Sequence, residues 1–167
     1  TRRDSPAHGG EYVLDILQDL KVRDVLLRTE VMVVERSLPL SALLRSASES
    51  LQVVFPVKGV DGEPEGLVTL ATIKAYLFDA ALGMLAIAAD CESPYVCVSA
   101  EDSLALALER MARARYQQLP VLELAKGETT PKLVGLISYD DLLQAYSREL
   151  ATRRQTVDPP VADERPN

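Results

Sequence analysis

Ser138 and Asp141 stand three residues apart where an apolar run, "KLVGLIS", gives way to a patterned helix, "YDDLLQAY". A hydroxyl and a carboxylate at that spacing can do two things. Ser138 can cap the helix while Asp141 reaches back to the amide of the cap residue, a reciprocal capping box. The same pair at a helix N-terminus can hold the phosphate and ribose of a nucleotide. Residue types alone leave both open, and the elements that carry the pair must be read first.

Other chemistry is scarce. His8 is the only histidine and lies in the polar stretch "TRRDSPAHGG". With it go any His-based triad, any His metal cluster and any evident general base at neutral pH, so no catalytic residue, metal ligand or enzymatic role is assigned. Cys91 and Cys97 are the two cysteines, spaced too widely for a zinc knuckle, and read as small buried thiols of a reducing compartment. Eighteen basic against twenty-five acidic residues give a formal charge of −7 with no basic face, which argues against nucleic acid as a partner. With 167 residues, 47% of them hydrophobic, the chain can bury a full core. Its longest uncharged apolar stretch, "AALGMLAIAA" (80–89), is half of what a membrane helix needs, roughly 20 residues. The chain starts at Thr1 rather than Met, as a piece of a larger protein would.

The chain repeats itself. "SLPLSALLRSASESLQVVFPV" (37–57) and "SLALALERMARARYQQLPV" (103–121) share a plan of Ser-Leu, amphipathic helix and short strand ending in Pro-Val. Each is followed by a polar turn, a second strand and a helix: "EGLVTLATIKAYL" (65–77) and "VGLISYDDLLQAY" (134–146). Pro56 matches Pro120 at an offset of 64 and Gly66 matches Gly135 at 69, so the longer turn "ELAKGETTPK" absorbs the difference. An alternating strand opens each copy, "VMVVE" (31–35) and "YVCVS" (95–99), and Ser37 and Ser103 read as helix caps. Short helices are expected before each, in "LQDLKVRDVLL" (17–27) and "MLAIAADC" (84–91). The fold class is therefore α/β, with two stacked, pseudo-symmetric halves. The division is a polar leader at 1–16, a first repeat at 17–80, a second with its linker at 81–152, and a Pro-rich tail at 153–167 that reads as disordered.

Two copies of Ser-Leu, helix, apolar-Pro-Val, turn and Gly-apolar-apolar-Thr/Ser resemble a tandem pair of CBS domains, the Bateman module, over about residues 20–150. Within that family, "LKVRDVLL", "LFDAALGMLAIAADC" and "DLLQAYSREL" are similar to the cytoplasmic C-terminal region of ClC-type chloride channels and chloride/proton antiporters. The resemblance implies strand-helix-strand-strand-helix repeats packed through their sheets, with clefts that in some members hold adenine nucleotides. In those members Ser or Thr contacts phosphate and an Asp three positions later holds the ribose. Ser138 and Asp141 match; Thr69 matches, but Thr72 replaces the Asp. By the same resemblance the base would lie against Val31, Met32 and Val33 and the segment Gln52, Val53, Val54, Phe55 and Pro56, recognised through backbone groups. A second, degenerate cleft would comprise Thr69, Thr72, Tyr95, Cys97, Tyr116 and Gln117. Asp140 adds acidic charge and the nearest lysine in the stretch is Lys132, which makes AMP, ADP or adenosine easier to accept than ATP. The resemblance further implies a regulatory module on the cytoplasmic side of the cell membrane, joined to a chloride-transporting membrane domain and paired as a homodimer. A ligand-free assembly module and a sensor for another transporter or a metabolic enzyme are the alternatives. Leu142, Leu143 and Tyr146, with Ile73, Tyr76 and Leu77 in the first copy, read either as core or as a dimer stripe.

Overall fold

A computed structural model describes residues 6–79, 81 and 83–157. In the first half, β1 (Val34–Glu35), α3 (Leu40–Ala47), β2 (Val54–Lys58), β3 (Pro64–Thr69) and α4 (Leu70–Phe78) follow in order, behind two leading helices, α1 (Pro6–Asp19) and α2 (Val22–Val25). The second half repeats them as β5 (Val98–Ser99), α5 (Leu104–Ala114), β6 (Gln118–Glu123), β7 (Lys132–Ser138) and α6 (Tyr139–Val157), led by a 3-10 turn at Ala88–Cys91 and β4 (Ser93–Pro94). In both halves the opening strand pairs parallel to the next, which pairs antiparallel to the third. Gly62 and Gly127 take φ of 87° and 89° in the two hairpin turns, a conformation that costs other residues a Cβ clash.

The sequence repeats are not the packing units, because the leaders cross over. Val22 and Leu17 join the buried cluster of the second half, beside Val98, Leu104, Leu119 and Ile137. Ala86, Ala88 and Cys91 join that of the first, beside Val34, Leu43, Phe55 and Ile73. The backbone follows the same exchange. β4 pairs with β3 through Gly66 and Pro94, and Arg28 bridges to Gly135 at the matching edge of the other sheet. Lys21 meets Ser103, and Ile87 meets Pro39. Each leader covers a sheet edge that would otherwise expose unpaired backbone groups.

Four expectations change. The leader is not merely polar, for α1 begins at Pro6 and buries Ile16 and Leu17 against the side where α5 and α6 lie. The tail is helical from Arg153, which pairs with Asp19 at 2.8 Å and Glu149 at 3.0 Å, to the end of α6 at Val157; residues 158–167 lie outside those described. Only the last two residues of each opening strand are strand. Gln52, 7% exposed, explains the first: its side-chain amide accepts from Met32 N at 3.0 Å and donates to Met32 O at 2.9 Å, taking the groups a ladder would use. In the second, Arg110 donates to Cys97 O at 2.7 Å and Tyr116 to Pro94 O at 3.1 Å. Finally, Ser103 caps α5 through Leu106 N at 3.2 Å, but Pro39 rather than Ser37 precedes α3. The structural offset is 64 here as well, so the Ser-Leu match was two residues out of register.

Candidate functional site: the cleft between the halves

β2 and β6 face each other across the pseudo-twofold, clasped by Gln118, whose Oε1 accepts from Val53 N at 2.8 Å and whose Nε2 donates to Leu51 O at 3.1 Å. Where the two sheets meet the starts of α4 and α6, a cleft of about 980 Å³ opens. Ser138, Asp141, Val53, Val54, Thr69 and Gln117 line it. It thus joins residues the sequence had divided between two clefts.

Ser138 lies at the end of β7, where strand geometry must turn into helix, and the sequence supplies the atoms for that change. Asp141 N donates to Ser138 Oγ at 3.2 Å, and Asp141 Oδ2 accepts from Ser138 N and from Ser138 Oγ, both at 2.7 Å. The capping box is therefore formed. Both bonds to the carboxylate fall on Oδ2, and Oδ1 has no partner among the described residues, so a half-buried carboxylate oxygen remains able to accept from a ligand hydroxyl. The Ser138 hydroxyl proton, by contrast, is spent on Asp141. In the first half, Thr69 Oγ1 accepts from Thr72 N at 3.1 Å and lies 2.9 Å from Thr72 Oγ1. That cap closes without a charge.

The expected base wall is differently placed. Thr29 and Glu30 line the cleft, whereas Val31, Met32 and Val33 do not; Phe55 and Pro56 are buried in β2. The backbone groups on which base recognition was to rest are occupied: Met32 by Gln52, Val53 N by Gln118, and Val53 O by Leu70 N at 2.8 Å. What the cleft offers a base is apolar surface instead, from Leu27, Leu51 and Tyr139, which are 80%, 94% and 43% exposed.

The residues grouped as a degenerate cleft separate as well. Tyr95, Cys97 and Tyr116 line a second cavity of about 620 Å³ with Arg110 and Arg113, made from the second half alone. Tyr116 also reaches the main cleft, while Thr72 lines neither. The Tyr95 hydroxyl is buried without a partner among the described residues, and burial raises its pKa. Burial raises the Cys97 thiol too, and pushes Cys91 up to about 11 with help from Asp90, so both thiols stay protonated and weakly reactive.

Sequence reading missed Lys74 and Arg115 in the main cleft. Lys74 lies on the second turn of α4, and Arg115 ends α5 in the left-handed region at φ 58°. Among the described residues neither side chain has a hydrogen-bond or ion-pair partner. Lys132, the nearest lysine in the stretch, pairs with Glu128 at 2.7 Å and does not line the cleft. No local pattern marks Lys74 or Arg115; Lys74 reaches the lining it shares with Asp141 from the other half, and Arg115 through packing within the second half, where Tyr139 N donates to Gln117 O at 3.0 Å.

Comparison with known proteins agrees with the architecture. Residues 88–148 match the family model of the CBS domain. No curated protein matches the sequence. Among solved structures, the CBS domain of the bacterial CNNM/CorC family Mg2+ transporter in complex with ATP is similar at a TM-score of 0.62 and 16% identity, over 86% of this chain and 98% of that one. CBSX2 in complex with AMP follows at 0.59 and 20%, over 77% and 97%. The CBS domain of a membrane protein from Sphaerobacter thermophilus gives 0.57 and 19%, over 86% and 98%. Residues 88–148 thus match the CBS-domain model, and the chain as a whole has the fold of the solved CBS-domain structures.

Proposed function

We propose that this chain is a regulatory module of two CBS repeats, at 17–80 and 81–152, that binds an adenine nucleotide or nucleoside in the cleft between its halves. The observation that carries the reading is the free Oδ1 of Asp141 at the wall of a cleft large enough for such a ligand. Asp141 would accept from the ribose hydroxyls, Ser138 would hold Asp141 in place, and Val53, Val54 and the exposed leucines would cover the base. Similar folds solved with ATP and with AMP support this ligand class.

The module would act on an attached transport domain in the membrane and lie on its cytoplasmic side, as a non-catalytic regulator. No helix among the described residues is long and apolar enough to cross a membrane itself. The short similarities at 20–27, 77–91 and 141–150 favour a chloride channel or antiporter as host, while the like folds of a Mg2+ transporter's CBS domain and of a membrane protein's CBS domain favour a membrane protein more broadly. Regulation requires that the ligand bind one arrangement of the halves better than another. A second reading, assembly as a homodimer, draws on Phe78 and Leu143, 89% and 48% exposed at α4 and α6, although Leu142, Ile73 and their neighbours Tyr76 and Tyr146 are spent on the cores.

Calorimetric titration with ATP, ADP, AMP and adenosine, repeated on Asp141→Ala, tests the reading. Binding that weakens at least tenfold in the variant is the expected result. Heat-silent titrations at millimolar ligand, or affinities indifferent to Asp141, would overturn it and leave assembly as the surviving role.

A further inference from the structure

The backbone just before β2 offers the cleft a donor and an acceptor, and one side chain already holds both. Gln118 accepts from Val53 N through Oε1 at 2.8 Å and donates to Leu51 O through Nε2 at 3.1 Å. All three residues line the main cleft. Gln118 belongs to the second half, at the position of β6 that pairs with Ser138 in β7, whereas Leu51 and Val53 lead into β2 of the first. The clasp therefore stands next to the cap that Ser138 forms with Asp141.

The fold does not demand this clasp. Pro120 matches Pro56 at an offset of 64, so Gln118 matches Val54, a buried residue with no polar side-chain atom to return the bond. What Gln118 adds is a carboxamide, an acceptor oxygen beside a donor nitrogen. The edge of adenine at N1 and N6 carries the same two functions side by side, an acceptor ring nitrogen and an exocyclic amine that donates. Backbone that satisfies one of these groups can satisfy the other, but not both at once.

We infer that the Gln118 carboxamide is an internal substitute for an adenine base: it occupies the donor and acceptor at Val53 and Leu51 and must be displaced before they can read a ligand. This role rests on the nucleotide reading above and adds to it a control on base recognition. In the intact protein a base gains little from these two groups, because each bond it makes there replaces one that Gln118 gives up. The carboxamide and the backbone it holds belong to different halves, so a base seated there breaks a link between them. The ligand then prefers the arrangement in which β2 and β6 are unclasped, and such a preference is what regulation requires.

The test is calorimetric titration of the full chain, of Gln118→Ala and of Gln118→Val with adenosine and with inosine, while thermal melts check that both variants fold. Inosine keeps the sugar but carries a donor at N1 and an acceptor at C6, the reverse of adenosine. The expected result is that each variant binds adenosine about tenfold more tightly than the intact chain, as when a competing bidentate contact is removed, with a smaller gain for inosine. Adenosine affinity that is unchanged or weaker in the variants, or a gain shared equally by inosine, overturns the inference while nucleoside binding stands. Binding of adenosine by the variants alone sustains the inference and sinks the reading of the intact chain as a nucleotide sensor. Silence from all three proteins with both nucleosides sinks both.

Discussion

The starts of α4 and α6 occupy the same place in the two halves, and they close differently. Thr69 caps α4 with one hydroxyl, and Thr72 answers with another. Ser138 does the same for α6, but Asp141 answers with a carboxylate that uses one oxygen and leaves the other free. The first half shows that the fold needs no charge at this point. The carboxylate is therefore surplus to the architecture, and what it adds faces the cleft.

The comparison breaks most forcefully if the halves are not equivalent as folding units. Leu40 and Leu104 stand at the first helical position behind Pro39 and Ser103, and both are fully buried, one in each core. Leu40→Ala and Leu104→Ala should each cost about 2–5 kcal/mol, the usual range for a buried leucine truncated to alanine. Because each core contains residues from the other half's leader, both variants should lower the midpoint of one shared transition in a urea or thermal melt. Two separate transitions, only one of them shifted by each variant, would show the crossover to be energetically idle.

The crossover itself can be probed at two glycines. A Cβ on Gly135 would stand 3.0 Å from Leu27 O and 3.0 Å from Leu26 Cδ1, against backbone that cannot swing aside. A Cβ on Gly66 would meet the side chain of Glu92, which can rotate away at the expense of its pair with Arg36. Gly135→Ala should therefore destabilise by roughly 1–3 kcal/mol, as overpacking does, and Gly66→Ala by less. Equal losses in chemical denaturation would mean that the leader at 26–29 adapts as freely as a side chain does.

Much of this was legible in the sequence, and the misses share a cause. Pro56 and Pro120, Gly66 and Gly135, and the Ser138–Asp141 spacing are local signals, and they led to the two halves, their hairpins and the capping box. The exchange of leaders was not legible, since nothing in "LQDLKVRDVLL" says which sheet its apolar residues will cover. Gln52 looked like one more residue before Pro-Val, yet its amide replaces a strand for Met32 and so shortens β1. Lys74 and Arg115 are 67 and 26 residues from Asp141 and meet it only through tertiary packing. A site assembled between repeats hides from any reading that takes the repeats one at a time.

Grafting the second half's cap onto the first sharpens the contrast. Thr72→Asp would give α4 a carboxylate able to accept from Thr69 N, as Asp141 accepts from Ser138 N at 2.7 Å, and would set an anion at a helix N-terminus. A gain of about 0.5–1 kcal/mol in the unfolding free energy is expected. Since Thr72 does not line the main cleft, affinity for the adenine ligand should stay unchanged while Asp141→Ala weakens it at least tenfold. A variant that gained binding would show that any carboxylate at a repeat's helix start suffices.

The smallest effect concerns how the first leader is held. Lys21 and Arg23 lower the pKa of Glu101, and the Arg28 fork lowers that of Glu123, so both acids favour the folded state as carboxylates. A depressed folded pKa contributes stability that is complete above the unfolded value of about 4.5 and is lost as pH falls through the folded one. These pairs are exposed at the surface, so their contribution is slight and weakens with salt. The segment leading into β4 carries one ion pair, Glu92 with Arg36 at 3.0 Å, against three at the first leader, and the backbone pairing of β4 with Gly66 and Leu67 is independent of pH. Hydrogen exchange at pH 3.5 should therefore show amides of 20–29 losing protection earlier than those of 88–94, and 0.5 M salt at neutral pH should narrow the same gap. Loss of protection in the opposite order would place the weaker leader in the first half's sheet rather than the second's.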